Sequence, residues 1–404
     1  MNWSVVFFIK VAILGLGIVI PSLCFFIFRS RRQEIFVGLV AFLLSVIVTE
    51  GFLKQFYPQI MEHDKMFEYD AYLGWRFIPN KSGSIVYSRE ARHYVETNSW
   101  GFRDHSPPSE TDDIRKILVI GDSFVTNVAV KDHEVFTEVM ERKLKDTAVL
   151  NFGVNGYGQV QEYLLMQQWF DKVKPDLVIV MIYIRNDFQD NIRAEWLYPR
   201  PFVSWDGQGK TLTIHPPAPP SSQGPQPFWQ FYKRLHLYHL VNTRLNILAN
   251  RISQRNRDQY RPSVYTPPEL YLCRSQPSED TKLMYRTMEE LLLMIASYVD
   301  KRGVPLVFAI APSMVQVDEQ LWSFTLEEYG ESTDNYTRSL PNDQLTRFGK
   351  TNNLLMLDLL PILISEANKG KTLYNRKEQH WTSDGNRIVA DALMAYLQTQ
   401  GLIK

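Results

Sequence analysis

KILVIGDS, at residues 116–123, is a short apolar run that ends in glycine, aspartate and serine. Two more apolar runs follow at 149–152 and 177–182, and the segments 135–144 and 162–170 between them have apolar residues at helical spacing. Strands that alternate with helices in this order form a parallel sheet with helices on both faces. The sequence therefore predicts an α/β fold, a three-layer sandwich with a mainly parallel sheet.

The alternation stops at about residues 195–278 and then resumes, with strands expected at 305–310 and 354–358 and a last helix near the end of the chain. We therefore predict one main domain, residues 116–404, that contains an insertion at about 195–278. Within the insertion, residues 232–257 are basic and amphipathic. This stretch either contacts anionic lipid or forms the solvated face of the insertion.

Two long apolar runs, 3–28 and 35–53, precede the main domain and are separated by the basic segment 29–34. A helix of about 20 apolar residues spans the roughly 30 Å hydrocarbon layer, so the two runs predict two transmembrane helices and contact with the lipid bilayer through residues 3–53. A cleaved signal peptide would need positive charge before the apolar run and a small-residue site after it, and neither is present. One span plus a buried core helix is the alternative.

The arginines of the loop between the two runs, Arg29, Arg31 and Arg32, predict its orientation. Because basic loops stay on the cytoplasmic side, everything after about residue 55 is expected to be extracytoplasmic. Short alternating runs within residues 67–103 predict small strands. The chain then divides into a transmembrane helical hairpin (1–54), a short β-rich lead-in (55–115) and the main domain.

Charge and cysteine content exclude several classes of function. The 404 residues include 44 basic and 44 acidic side chains, a balance that argues against a general nucleic-acid binder. Two cysteines cannot build a disulfide framework or a cysteine-rich zinc site. We predict no nucleic-acid partner, no metal and no organic cofactor, and the sequence identifies no protein partner.

Polar groups follow three of the predicted strands, at the edge where open parallel sheets bind ligands. Ser123 stands at a strand-to-helix turn, where it is either a nucleophile or part of a helix N-cap, because aspartate and serine are preferred caps. Gly156 can present its N–H to an oxyanion, or simply form a turn. Asn186 can add its side-chain amide to the same oxyanion hole.

His380 lies in the segment EQHWT, residues 378–382, before the last predicted helix. It can act as a general base toward Ser123, with a carboxylate fixing its tautomer. The other seven histidines, including His93, lack a carboxylate two residues before them at a strand-to-helix position. We therefore expect them to be surface or packing residues.

Together these motifs resemble the SGNH (GDSL-type) hydrolase superfamily. The matching segments are 121–124 (GDSF), 151–156 (NFGVNG), 185–187 (RND) and 378–381 (EQHW), and the resemblance covers roughly residues 116–400 apart from the insertion. It implies a flavodoxin-like sheet, with Ser123 as nucleophile and His380 as base. It also implies an oxyanion hole formed by the N–H groups of Ser123 and Gly156 and the amide of Asn186. Residues 98–104 (NSWGFRD) further resemble a segment of membrane-anchored bacterial members, which implies a bacterial inner or plasma membrane and a periplasmic or otherwise extracytoplasmic domain.

Three positions depart from the family pattern. Phe124 replaces leucine at a packing position. Arg185 replaces a small residue, where it either narrows the site or binds an anionic substrate. Lys377 stands where the triad acid is usual, whereas a carboxylate two residues before His-Trp resembles a variant in polysaccharide O-acetylation proteins. Glu378 is therefore the expected triad acid. Arg185 and Trp381 are the candidate substrate contacts.

Three functions are compatible with the sequence. The first is a membrane-anchored serine esterase that acts on an O-acylated substrate, either carbohydrate, which the His-Trp motif favours, or lipid. The second is an O-acyltransferase of exopolysaccharide modification that uses the same triad. The third is a non-catalytic assembly or binding protein that keeps the fold, although a scaffold has no need of the full set of site residues.

Overall fold

The structure is a computed structural model that describes residues 32–56, 66–88, 91–105, 114–194, 199–219, 235–241, 244, 268–376 and 378–404. It divides into two compact units. The first comprises Met1–Glu62 and Gln223–Val264, and the second comprises His63–Ser222 and Tyr265–Lys404. The predicted boundaries at 54 and 115 stay predictions, but the lead-in strands and the main domain fall in the same unit.

The first unit contains a long apolar helix, α1 (Arg32–Phe56). Its segment Phe36–Phe56 is 21 residues long and is the one helix, among the described residues, that is long and apolar enough to cross a membrane. Most of its large apolar side chains are exposed. The first predicted transmembrane run, 3–28, lies outside the described residues.

Part of the insertion also belongs to the first unit. Both carboxylate oxygens of Glu50, on α1, accept main-chain hydrogen bonds at the start of a short helix over 236–241. The donors are the N–H groups of His236 and Leu237, at 2.7 and 2.9 Å. This part of the insertion thus packs on α1.

The second unit begins with two antiparallel hairpins, which confirm the predicted small strands. The first pairs β1 (Phe67–Asp70) with β2 (Gly74–Phe77), and the second pairs β3 (Ser82–Ser88) with β4 (Ala91–Glu96). The remaining strands in chain order are β5 (Arg115–Gly121), β6 (Thr147–Gly153), β7 (Leu177–Tyr183), β8 (Phe202–Trp205), β9 (Leu212–His215), β10 (Leu306–Ala311) and β11 (Leu355–Asp358). β8 and β9 form a separate antiparallel hairpin at the start of the insertion.

Five of these strands form one parallel sheet in the order β11-β10-β7-β5-β6. The helices around it are α2 (Ser123–Thr126), α3 (Phe136–Lys143), α4 (Gln159–Val173), α5 (Asp187–Asp190), α6 (Pro268–Cys273), α7 (Glu279–Asp300), α8 (Met314–Val317), α9 (Glu319–Glu328), α10 (Leu340–Thr351), α11 (Leu360–Asn368) and α12 (Ser383–Thr399). The predicted α/β fold is confirmed.

Alternate side chains of each strand enter different cores, which makes three layers. Leu118 and Ile120 of β5 face a core that includes apolar residues of α4 and α7. Ile117 and Val119 face a second core with residues of α3 and α12. β7, the central strand, is buried along its whole length, as a parallel strand covered on both faces should be.

Candidate active site

The first strand-to-helix turn positions Ser123. β5 ends at Gly121, and α2 begins at Ser123. Asp122 caps this helix, because its Oδ1 accepts a hydrogen bond of 2.8 Å from the Phe124 N–H. The capping interpretation thus applies to Asp122, and the Ser123 hydroxyl remains available for a side-chain contact.

A glycine at the end of β6 allows α2 to lie directly on the sheet. A Cβ atom at Gly153 would stand 2.3 Å from the Thr126 nitrogen, a distance that no real side chain tolerates. The buried Asn151 amide, also on β6, donates to the Val125 carbonyl at 2.8 Å. The short helix that carries the serine is therefore held by close packing on Gly153 and by a hydrogen bond from the Asn151 side chain.

His380 meets Ser123 as the sequence predicted. Its Nε2 lies 2.8 Å from the Ser123 Oγ, and the histidine is buried. Burial lowers the pKa of His380 to about 4, with the charges of His93 and Arg185 acting in the same direction. The imidazole is therefore neutral above about pH 4, which is the form that accepts a proton from a serine.

The carboxylate of Glu378 binds Asn375 and His93, and the sequence did not predict either contact. Its side chain has no exposed area, and its Oε1 accepts a 2.8 Å hydrogen bond from Asn375 Nδ2, while Oε2 lies 2.7 Å from His93 Nε2. The His380 ring contacts the main-chain carbonyl of Glu378, which raises the pKa of His380, as does the carboxylate charge. The role of Glu378 as triad acid stays a prediction.

The predicted oxyanion donors lie on two loops. Gly156 has φ +78°, in the left-handed region that favours glycine. The main-chain carbonyl of its neighbour Asn155 accepts a 3.1 Å hydrogen bond from Trp75 Nε1, so β2 of the lead-in holds this loop.

The Asn186 side-chain amide donates to Asp190 Oδ2 at 2.9 Å and to Asp187 Oδ1 at 3.2 Å. To serve an oxyanion, Asn186 would have to release one of these contacts.

Several buried carboxyl groups lie near these loops. Burial raises the pKa of Asp122 to about 7, with the Asp190 charge acting in the same direction. Burial also raises the pKa of Glu162 and Asp187 well above their usual values, and Asp122 reinforces both shifts. Proton uptake by these groups limits the negative charge that accumulates beside the serine.

Arg185 joins the His380 turn to another element. It donates to Gln379 Oε1, and its Nε lies 3.4 Å from the buried Glu269 Oε2 on α6. Gln379 has φ +64°, a conformation that a non-glycine residue adopts at a cost in energy. Arg185 therefore stabilises a strained residue beside His380, and a contact with substrate stays a prediction.

Trp381 is completely buried and packs against Phe124, the residue after Ser123. Its ring meets the Phe124 ring edge-on at 4.8 Å between centroids, and it also contacts Phe136. The sequence suggested a substrate contact, but a side chain without exposed surface has a packing role in this structure. Phe124 itself is a packing residue, as expected, and its ring centroid lies 5.1 Å from that of His380.

The sequence interpretation missed two supporting residues, Arg103 and His93. The Arg103 guanidinium is buried and donates to the Thr126 carbonyl at 2.9 Å and to the Asn127 carbonyl, where α2 ends. A basic residue within the segment 98–104 is the signal in the sequence that points to Arg103. Nothing in the sequence links His93 to residue 378, because 285 positions separate them.

Residues 271–404 match the family model ALGX, described as SGNH hydrolase-like domain, acetyltransferase AlgX. These residues are an SGNH hydrolase-like domain. The match includes His380 and ends at the last residue, and Ser123 lies before it. The resemblance to the SGNH superfamily is confirmed, and the matched family together with the Ser123–His380 pair indicates an enzyme that acts on acyl esters, as a hydrolase or as an acyltransferase.

No curated protein matches the chain. Among solved structures, a lipolytic protein of the G-D-S-L family from Veillonella parvula is similar at 13% identity, with 70% of this chain and 97% of that chain covered and a TM-score of 0.36. The acetyl xylan esterase AlAXEase has 12% identity, coverage of 69% and 98%, and a TM-score of 0.36. The esterase EstA from Pseudoalteromonas has 9% identity, coverage of 71% and 98%, and the same score. The assignment of the SGNH domain rests on the family match and the observed geometry.

Proposed function

We propose that the chain is a membrane-anchored, extracytoplasmic serine esterase that removes acyl groups from an O-acylated carbohydrate. The observation that carries the proposal is the 2.8 Å contact between Ser123 Oγ and His380 Nε2. A serine within hydrogen-bond reach of a neutral imidazole is the arrangement that nucleophilic catalysis requires.

The reaction would proceed through an acyl-enzyme. Ser123 Oγ attacks the ester carbonyl while His380 Nε2 takes its proton, and the leaving alcohol then takes that proton from His380. The N–H groups of Ser123 and Gly156, with a released Asn186 amide, would stabilise the oxyanion by about 3–4 kcal/mol per donor. Water activated by His380 then hydrolyses the acyl-enzyme and restores the hydroxyl of Ser123.

The exposed apolar surface of α1 supports membrane anchoring, because such a surface is unfavourable in water. The matched family contains an acetyltransferase, which supports an O-acyl substrate. A carbohydrate is proposed in preference to a lipid because the EQHW segment resembles that of polysaccharide O-acetylation proteins.

O-acyl transfer to a polysaccharide hydroxyl is a second candidate, and the acetyltransferase description of the matched family favours it. The two functions share the acyl-enzyme and differ only in the acceptor that attacks it. Incubation with an acyl donor and an oligosaccharide distinguishes them. Acylated oligosaccharide with little free acid would select transfer, whereas free acid alone would select hydrolysis.

The test compares Ser123→Ala with the wild type in p-nitrophenyl acetate hydrolysis and in covalent labelling by a fluorophosphonate. We expect the variant to lose both, with an unchanged circular dichroism spectrum. Ser204→Ala is a matched control, because Ser204 Oγ lies 2.7 Å from His215 Nε2 in an exposed Ser–His pair on the β8–β9 hairpin. Undiminished ester hydrolysis by Ser123→Ala would contradict the proposal. A folded wild type that neither reacts with the ester nor takes the label would favour the non-catalytic scaffold.

A further inference from the structure

The β3–β4 hairpin of the lead-in reaches the turn that carries His380. His93 lies on β4 opposite Ile85 of β3, and its Nε2 is 2.7 Å from Glu378 Oε2. About a fifth of the His93 side chain is exposed (19%), whereas the Glu378 side chain is fully covered. A buried carboxylate needs partners, because an uncompensated charge in the interior is costly.

The turn itself is closed by hydrogen bonds between its two ends. The Asn375 N–H donates to the His380 carbonyl at 2.8 Å, and the Gln379 N–H donates to the Asn375 carbonyl at 2.7 Å. The Asn375 side chain binds Glu378 from within the turn, and His93 binds the same carboxylate from another element. His93 is therefore a tertiary restraint on this turn, as Arg185 is through Gln379, whereas the bonds made by Asn375 are local.

We propose that His93 is a positioning residue for acyl transfer, which holds Glu378 and through it keeps His380 in reach of Ser123. This inference rests on the proposed function. It makes the lead-in hairpin a component of the active site, although the sequence places the hairpin before the main domain.

The charged groups that face His380 come from three elements. Glu378 belongs to its own turn, His93 to β4, and Arg185 to the segment after β7. The Glu378 carboxylate raises the pKa of His380, and His93 and Arg185 lower it. Loss of His93 should therefore raise the pKa of the base, an effect that a purely structural role for His93 would not predict.

The experiment uses the full chain and measures how fast a fluorophosphonate labels Ser123, as a function of pH. This rate depends on the Ser123–His380 pair and not on the natural substrate. We expect His93→Phe, which keeps a ring without a donor, to lower the maximal rate about tenfold to a hundredfold, since small misplacements of a reacting group have effects of this size. In the plot of labelling rate against pH, the fall in rate on the acid side (the acid limb) should move to higher pH. His93→Gln, which retains an N–H donor, should restore most of the rate.

A matched control and a double mutant complete the design. His105→Phe removes another His–Glu pair, His105 Nε2 to Glu138 Oε2 at 2.6 Å, and should leave the labelling rate unchanged. Because His93 acts through Glu378, the double variant His93→Phe/Glu378→Gln should label no more slowly than the slower of the two single variants.

If His93→Phe has the same labelling rate and the same acid limb as the wild type, the inference is overturned. It is also overturned if the losses in labelling rate of the two single variants are fully additive in the double variant. If His93→Phe does not fold, His93→Asn, whose shorter side chain cannot bridge to Glu378, is judged by the same two criteria. Labelling that does not depend on Ser123 in the wild type would instead refute the proposed function.

Discussion

The depressed pKa of His380 has a direct consequence for the pH dependence of the reaction. The base must be neutral, so the rate falls as the pH drops through the pKa of His380, which burial lowers to about 4. We expect the acid limb of kcat/KM, measured from pH 3 to 8, near pH 4. Glu378→Gln removes a charge that raises this pKa and should move the limb lower still. A limb near the ordinary histidine value of about 6.5 would contradict the buried site.

At the residue scale, the sequence predicted the contact between Ser123 and His380 better than the contacts of their neighbours. Ser123 and His380 come together because the motifs sit at the same edge of the sheet. The spacing of Glu378 and His380 shows that they share a turn, but it does not determine which carboxylate oxygen meets which partner. His93 supplies that partner through a contact that only the folded chain creates.

At the element scale, the close contact between α2 and β6 predicts a large effect from one methyl group. In Gly153→Ala the added Cβ would meet the main-chain nitrogen of Thr126 at 2.3 Å, and main chain cannot move aside cheaply. We expect a loss of about 1–3 kcal/mol in the free energy of unfolding, together with slower labelling of Ser123 as α2 shifts.

Urea denaturation and the labelling rate measure these two effects. Gly207→Ala is the control, because no heavy atom beyond its own chain neighbours lies within 4 Å of its added Cβ. Equal stability of the two variants would show that α2 does not lie against β6 as described.

The main strands and helices could be predicted because their apolar residues follow a regular pattern along the chain. Runs such as 177–182 are apolar throughout, and the flanking segments have helical spacing, so the parallel sheet follows. The apolar residues of the insertion follow no such pattern. Its start, 199–219, forms a hairpin in the second unit, whereas 235–241 belongs to the first unit, and only tertiary contacts such as that of Glu50 reveal the division.

At the scale of the whole molecule, the two units have different surfaces. α1 exposes large apolar side chains, including Phe42 (60% exposed) and Val48 (69%), whereas the sheet of the second unit buries its apolar residues in two cores. Each Å² of apolar surface in water costs about 25 cal/mol, so α1 is unfavourable in water. The proposed membrane anchoring therefore predicts that the chain resists extraction from membranes by alkaline carbonate.

The predicted orientation can be tested with a single cysteine. Lys172 is exposed on the second unit, and Lys172→Cys in a Cys24→Ser background leaves Cys273 as the other thiol. Cys273 is fully buried, and burial raises the pKa of its thiol well above the usual value, so it should not react. If the arginines between the apolar runs stay in the cytoplasm, an impermeant maleimide should label the variant in intact spheroplasts. Labelling only after detergent lysis would place the Ser123–His380 pair in the cytoplasm and remove exported carbohydrate from its accessible substrates.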